Sequence, residues 1–552
     1  LGYFFWILKK RGGIDLAKYK IFILLAGMVF SGLVSVFMGH YRDWDFLNYH
    51  FYDGFSFFYD RLNLDYWPAD GWSFFNPLLD AFNYALIMAI PHGIWVSFLM
   101  GFFGGWGLFV FYETASLVFG SLSLPQKYQR LFVCLAYILG VCGPFVLKGM
   151  GSVENDLQSG SFVLLGLYFA LKALIHSDQI LSKKSWGIFV SGIFLGISIG
   201  LKLTNMTSLL ALGIAILLAF PRGQKLRLGA CFALGAVFSF LVTNGGWMWV
   251  LFEHFKNPLY PFYNKIFHSP YFPLINIHDP TFVAKGFWDV LSRPFSYMNQ
   301  TLVSEGIFQD WRFGVSLIFS IIYIFKVCIL PSCAPETRTR SAVISFLMIY
   351  CGMGYLIWVI QFGIYRYAIP LEIMSALLIL LLSLEWFSSK TFSLFFKDWQ
   401  RLGVIIGVVI FILWKTTVPV FFNPLVNQPY LQVSDPGRFP PHALVILTGE
   451  KQSFVIPFFP HSLIFVSTNL SMSSRHRLDS DLAVRFVQAY QGPIFVLFGE
   501  KTPDAPHQPV SRWERNGLIF EINTASCRKI ITNELFQPEL RVCEAKKINA
   551  QK

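Results

Sequence analysis

Charge is what this chain of 552 residues has little of: Asp, Glu, Lys and Arg together make up 14% of it. Hydrophobic residues make up 55%, and mean hydropathy is +0.52. A soluble protein of this length needs several cores and far more surface charge, so that class is excluded. Metal-ligand spacings are also missing, with no CxxC pair and no His/Cys cluster. No internal repeat or low-complexity segment occurs. The hydrophilic tail from about residue 421 holds no nucleotide-binding glycine pattern and no evident catalytic set. The net charge of +12 invites a nucleic-acid partner, but Lys and Arg fall in short clusters between apolar spans. That is the footprint of membrane orientation. The chain opens at Leu1 rather than Met, so a preceding piece is expected.

What is present is a series of apolar runs of about 17–25 residues, the length that crosses roughly 30 Å of hydrocarbon. They lie at 20–39, 93–119, 130–148, 157–175, 186–201, 203–220, 229–252, 311–330, 341–360, 364–386 and 402–420. These predict a polytopic α-helical membrane protein with about 11 transmembrane helices. Basic clusters at Lys9-Lys10-Arg11, Lys18/Lys20, Lys127/Arg130, Lys183-Lys184, Arg222/Lys225/Arg227, Arg338/Arg340 and Lys397/Arg401 mark one side as cytoplasmic. The other side receives 40–92, 149–156, 253–310, 361–365 and the tail. This parity requires Asn76–Ile90, with Asp80 inside it and Pro91-His92 after it, to stay interfacial or re-entrant.

Residues 1–420 therefore read as a transmembrane domain with outer loops at 40–92 and 253–310. Residues 421–552 read as a small extracytoplasmic α/β domain. Short β-type runs are expected there at Ala443–Thr448, Leu463–Ser467 and Pro493–Phe498, with an amphipathic helix at Asp479–Tyr490. Cys134, Cys142, Cys231, Cys328, Cys333 and Cys351 lie in or beside apolar spans and read as small buried side chains. Cys527 and Cys543 in the tail are able to pair if it faces an oxidising compartment.

Three groups of residues carry candidate chemistry. The first is the polar stretch His40-Tyr-Arg-Asp-Trp-Asp-Phe-Leu-Asn-Tyr-His-Phe-Tyr-Asp53, directly after the first span. If helical, Asp45, Asn48, Tyr49 and Tyr52 form one stripe and Asp43, Leu47 and His50 another. If extended, Asp43 and Asp45 share a face. In either case a carboxylate is aimed just above the bilayer. The plainer account is a solvated loop, with Trp44, Tyr49, Tyr52, Tyr59, Tyr66, Trp67 and Trp72 as an interfacial aromatic belt.

The second group is Gly149-Met-Gly-Ser-Val-Glu-Asn-Asp156, whose Glu154 and Asp156 could line a cleft or hold a divalent cation. A helix cap is the plainer account. The third group is cationic. Arg366 sits in Tyr365-Arg-Tyr-Ala-Ile-Pro-Leu-Glu372, where Pro370 removes a helical bond, and Lys202 interrupts two spans in Lys202-Leu-Thr-Asn205. Ionisable groups in a span cost about 2.5–3.5 kcal/mol at its centre, so they usually face a cavity or partner; snorkelling is the alternative. The loop 253–310, with Glu253-His254, Asn257, Tyr260, Asn264, His268, His278-Asp279 and Gln309-Asp-Trp-Arg312, suits a structured lid over a sugar and lacks metal-ligand spacing.

A lipid-phosphate-sugar donor needs these parts: a carboxylate base for the acceptor hydroxyl, cations for the developing phosphate charge, and an opening between helices. At these residues the chain resembles the GT-C superfamily of integral-membrane glycosyltransferases, such as the protein O-mannosyltransferase and aminoarabinose-transferase families and their bacterial relatives. Asp45, followed by Tyr49, resembles the family's Asp-Glu-x-x-Tyr opening. Phe46 stands at the Glu position, which leaves Asp43 as a rival base. Arg366 in Tyr-Arg-Tyr-x-x-Pro resembles the late phosphate-contacting Arg.

The resemblance implies an inverting transfer from a polyprenyl-phosphate-linked sugar to a hydroxyl on a glycan, lipid or protein. It places the protein in a bacterial inner membrane with its site facing the periplasm. The expected site is then Asp45 or Asp43 as base, Arg366 and Lys202 at the donor phosphate, and Tyr49, His50, Glu154, Asp156 and Glu372 around the substrate. No cofactor is required beyond a divalent cation, which the sequence leaves open. Rival readings are a transporter or flippase, for which matched interrupted helices in two halves are missing, and a lipid-linked glycan polymerase or ligase.

Overall fold

Every one of the eleven apolar runs becomes helix. The computed structural model describes residues 16–39, 42–176, 180–277, 279–299, 306–329, 338–387, 398–419, 428–467, 478–499, 510–515, 517–535 and 537–548. His40, His278, Cys333, Lys9-Lys10-Arg11 and Lys397 lie outside these. Among the described residues, 7 helical stretches are long and apolar enough to cross a membrane. The segment expected to stay interfacial forms Leu78–Ala89, 12 residues. At 1.5 Å per residue it spans about 18 Å, too short for the hydrocarbon layer.

The chain divides into two compact units. The first comprises residues 1–38, 98–243 and 279–420, all helical in its described part. Its centre is Ile369–Phe387, whose Ala-Leu-Leu-Ile-Leu-Leu-Leu run is apolar on every side and almost wholly buried. A helix apolar all round belongs inside a bundle. It packs against Gln126–Val141, Asp156–Ile175, Arg312–Ile329 and Arg338–Gln361. At the periphery, Leu16–Met38 exposes Ile21, Phe22, Leu25, Val29, Leu33 and Phe37 along one stripe, as a lipid-facing surface requires.

Small residues set the helix spacing here, because lipid supplies no hydrophobic drive between apolar helices. Gly192 and Gly196 of Leu181–Leu201 lie so close to Lys225–Phe255 that an added Cβ would meet the carbonyl oxygens of Phe232 and Ala236 at 2.1 Å. Gly32 and Gly101 make a similar seam between Leu16–Met38 and Gly93–Gly104. Of the described membrane cysteines, only Cys351 is buried. Cys134 and Cys328 are exposed on the helical surface and Cys142 and Cys231 are partly covered. The expectation of burial is thus corrected for Cys134 and Cys328, which lie on the helical surface.

The second unit comprises residues 39–97, 244–278 and 421–552. Its sheet has the order β2-β1-β3-β7-β5-β4, with β6 also pairing β7. The strands β1 (Leu444–Leu447), β2 (Ile464–Ser467) and β3 (Ile494–Phe498) pair in parallel, and lie where the apolar runs predict. The antiparallel strands β4 (Arg512–Arg515), β5 (Leu518–Ile522), β6 (Arg528–Ile531) and β7 (Glu539–Ile548) alternate polar and apolar residues. Leu478–Ala489 forms the expected helix.

These compact units do not follow the chain division at 420, because the first outer loop shares the tail's core. Trp67, Phe74, Tyr260 and Phe272 pack in one cluster with Leu444, Ile446, Val466 and Val496. Arg61 donates to the carbonyls of His461 and Leu463, both at 2.6 Å, and pairs with Asp65. Tyr66 bridges to Val466 in parallel register, so the outer loop covers the open edge of β2. Most of the aromatic belt expected at 44–72 is therefore core: Trp67 is buried, Tyr66 stacks on Phe486, and the Tyr52 hydroxyl donates to Asp65. Tyr59 alone of these is largely exposed.

Two features of this unit give measurable outcomes. Cys527 and Cys543 form a disulfide with a sequence separation of 16. Closing a loop of about 15 residues contributes about 3 kcal/mol in the chain-entropy account. Reduction, or Cys527→Ser with Cys543→Ser, is expected to lower the thermal midpoint of the purified protein. An unchanged midpoint would show that the bond contributes nothing.

Asp53 is buried, and neither carboxylate oxygen has a hydrogen-bond partner among the described residues. Burial, and then the neighbouring Asp80, push its pKa well above the usual carboxylate value. A folded pKa above the unfolded value of about 3.9 makes the contribution largest in acid and lost as pH rises toward the folded pKa. Asp53→Asn is thus expected to keep or raise the midpoint at neutral pH and to flatten its decline above pH 4. A lower midpoint for the Asn variant at pH 7 would mean that the charge itself is required.

Candidate functional site

The acidic stretch after the first span is helical, and its two rival aspartates differ in position. Asp43 caps the segment: its Oδ1 accepts the Phe46 N–H at 2.9 Å while its carbonyl accepts the Leu47 N–H at 3.1 Å. A carboxylate bonded three residues on is an ordinary N-cap. Asp45 follows inside the turn and is buried, 8% exposed, in line with Asn48, Tyr49 and Tyr52, which are buried too. From Phe46 to His50 the backbone is a π-helix, and the Phe51 N–H bonds to the Phe46 carbonyl. Single π-turns are rare and cluster at functional sites.

Around this turn Tyr49 stacks on Trp72 with centroids 6.2 Å apart and meets Phe75 edge-on. His50 Nδ1 lies 2.8 Å from Asp80 Oδ1. Gly54 in the next helix, Phe51–Tyr59, approaches the Asp80 carbonyl so closely that a Cβ would sit 2.5 Å from it. The His50–Asp80 pair is therefore held by direct helix contact. It sets the ring orientation of the residue next to Tyr49.

In the helical unit the second and third candidate groups come together. The Glu154 carboxylate, buried in the 149–156 loop, pairs with the Arg366 guanidinium and lies 3.4 Å from Lys148 Nζ. Asp156 opens the helix Asp156–Ile175 and takes Lys202 Nζ at 2.6 Å, with Arg366 Nε 3.7 Å away. Lys202 also donates to the Glu154 carbonyl at 2.6 Å. Both Lys202 and Arg366 lie over the Tyr367 ring, at 5.2 and 5.3 Å. Within this cluster Lys148, Lys202 and Arg366 are gathered around Glu154 and Asp156, which concentrates cationic donors at one place.

The chain breaks that place these cations are those the sequence signals. Leu181–Leu201 ends before Lys202, a 3₁₀ turn covers Leu203–Asn205, and Met206–Ala219 continues. Arg366 lies in the 3₁₀ turn Tyr365–Ala368, and its carbonyl accepts the Ile369 N–H. Pro370 falls in the first turn of Ile369–Phe387, where a missing N–H is harmless. Asn155, at φ 63°, and Gly151, at φ 81°, turn the 149–156 loop back on itself.

Glu372 is placed elsewhere. It is fully buried and its Oε1 accepts the Phe145 N–H at 3.3 Å, at the start of the short helix Pro144–Gly149. Its side chain fills the space a Cβ on Gly143 would need. Close to it is a second buried network: Arg312 pairs with Asp310 at 2.7 Å and donates to the carbonyls of Leu139 and Cys142, while Tyr365 donates to Asp310. This network ties together the end of Gln126–Val141, the start of Arg312–Ile329 and the Tyr365–Ala368 turn.

The expected lid is tied down as well. Asn264 donates to the carbonyls of Ser269 and Phe272, and Asn257 to that of Phe262, so both shape their own loop.

Lys148 escaped the sequence reading, whereas Asp310 and Arg312 stood in it only as part of the long loop's polar set. Lys148 had a signal, since it is a cation at the outer end of a span, against the positive-inside asymmetry.

No protein-family model matches the chain, and no curated protein matches it. Among solved structures it is similar to ArnT from Cupriavidus metallidurans, crystallised bound to undecaprenyl phosphate. The TM-score is 0.50 and identity 12%, over 96% of this chain and 98% of that one. A likeness at that identity is one of fold, and it extends over nearly the whole of both molecules. The chain is a polytopic helical membrane protein whose fold is like that of ArnT.

Proposed function

We propose that this protein is a membrane glycosyltransferase that moves a sugar from a polyprenyl-phosphate donor to a hydroxyl acceptor on the extracytoplasmic face. The observation that carries the reading is the buried cluster of Arg366 and Lys202 with Glu154 and Asp156, in a chain with an ArnT-like fold. The undecaprenyl phosphate bound to ArnT supports a donor of that class. The Cys527–Cys543 bond supports an oxidising compartment around the sheet-bearing unit.

In this reading the acceptor O–H gives its proton to the Asp45 carboxylate while the oxygen attacks the anomeric carbon. The bond from that carbon to the phosphate oxygen breaks, configuration inverts, and the lipid phosphate leaves with the electron pair. Arg366 is the group for the charge that develops there, since its planar fork matches a phosphate and its pairing with Glu154 fixes its direction in advance. Lys202 adds a second positive charge. The phosphate is already a good leaving group, so no general acid is needed. Between the two aspartates, capping by Asp43 favours Asp45 as base. Tyr49, His50, Glu154 and Asp156 shape the surroundings. Glu372, bonded to the Phe145 N–H, serves the helical frame.

Transfer is measured in proteoliposomes with labelled polyprenyl-phosphate hexoses and pentoses. Asp45→Asn is expected to lower it by about 10²–10⁴-fold, the usual worth of a positioned base. Asp43→Asn keeps a good cap and is expected to stay within about 10-fold of wild type. Arg366→Lys, which loses the fork, is expected to retain less activity than Asp43→Asn. Unchanged transfer in both aspartate variants would remove the proposed base, and vesicle uptake of the substrate without product would replace the transferase by a transporter. Repeating the assay with a chelator decides whether a divalent cation takes part.

A further inference from the structure

We infer that the loop at the carboxyl end of β1, through Glu450 and Ser453, is a positioning device for the Asp45 segment; this rests on the transferase reading above. The anchor points bracket Asp45 on both sides. Before it, Arg42 donates to the Tyr430 carbonyl at 2.6 Å and pairs with Glu534 at 2.7 Å. Next, Trp44 Nε1 donates to Glu450 Oε2 at 2.9 Å. After it, Ser453 Oγ donates to the Asn48 carbonyl, with that of Leu47 3.3 Å away. Every one of these contacts lies inside the sheet-bearing unit.

The Ser453 contact has a specific physical meaning. In α register the Phe51 N–H would bond the Leu47 carbonyl, but here it bonds Phe46. The extra residue in the π-turn thus takes the Leu47 carbonyl off the α ladder, where a donor from outside can stabilise this register, and the Ser453 hydroxyl lies against that carbonyl and the next. Ser453, 1% exposed, supplies that donor. Removing its hydroxyl favours a return to α register. That change rotates Asp45 relative to Tyr49 and His50 by a sizeable part of a turn.

The loop that holds these groups is itself fixed. Gln452, 2% exposed, accepts the Gly449 N–H at 3.1 Å through its side chain, and Lys451 adopts φ 56°. A Cβ on Gly499, just beyond β3, would lie 2.7 Å from Gln452 Nε2. Because β1 sits between β2 and β3, the chain leaves it to one side and returns on the other. Loops at the carboxyl ends of strands around such a reversal are where α/β sheets commonly present their functional groups.

The test compares kcat, KM, pH profile and thermal midpoint of Ser453→Ala and Glu450→Gln with wild type in the labelled lipid-donor assay. Each variant is expected to lose about 10- to 100-fold in kcat, the scale of a small misplacement of a reacting group, with donor KM within about twofold. The acid limb of the kcat profile is expected to move, and Ser453→Thr, which keeps a hydroxyl, to restore most of the rate. Cys527→Ser with Cys543→Ser is the control: it weakens the same unit and is expected to leave kcat unchanged. Wild-type kcat in both Ser453→Ala and Glu450→Gln, with Asp45→Asn inactive, would overturn the positioning role and leave the transferase reading standing. Full transfer in Asp45→Asn and Asp43→Asn alike would bring down that reading itself, and this inference with it. A rate loss shared equally by the disulfide control would reduce Ser453 to a contributor to stability.

Discussion

A guanidinium held between two carboxylates inside a low-dielectric bundle is the interaction on which the helical unit turns. Arg366, Glu154 and Asp156 are each less than a tenth exposed. Any one of these charges left alone there would cost several kcal/mol, so none is tolerable without the others. The cluster therefore dictates three irregularities of the backbone: the break at Lys202, the 3₁₀ turn at Tyr365–Ala368 and the left-handed Asn155. Each brings a charged side chain to the end of a helix rather than its middle. The same logic is repeated with Asp310 and Arg312, which are wholly buried and spend their remaining hydrogen-bonding capacity on backbone carbonyls.

The sheet-bearing unit follows a different rule. Its antiparallel strands alternate, its edge at β2 is covered by Tyr66, and its core draws on three separated parts of the chain. The first outer loop thereby gains a rigid support that a free loop of its length would lack. For a segment that carries the candidate base, that rigidity is worth more than added contacts, since a reacting group must be held to fractions of an ångström.

Much of this was legible in the sequence. Apolar runs located the helices within a few residues, since crossing or filling an apolar layer leaves little freedom of composition. The three parallel strands were visible as short β-branched and aromatic runs, and the breaks at Lys202 and Arg366 as charges where charge is expensive. Three kinds of feature were not. Strands β4 to β7 are amphipathic segments whose pattern becomes distinct only once their partners are known. Glu372 looked like a companion of Arg366 by proximity in sequence, yet it faces Phe145, because six residues along a turn and helix carry a side chain to another side. The union of 39–97 with the tail depends on contacts about 400 residues apart, which no local pattern encodes.

The glycine seam in the helical unit reaches further than packing. Gly192, Gly196 and Gly200 let the helix that ends at Lys202 lie with its backbone nearly touching Lys225–Phe255. Two rods in such contact have no play, so the ammonium at the tip inherits its coordinates from hydrogen atoms three turns away. Silent-looking methyl additions along that seam would therefore act as mistuning of a distant charge, a class of defect invisible to any inspection of polar residues alone.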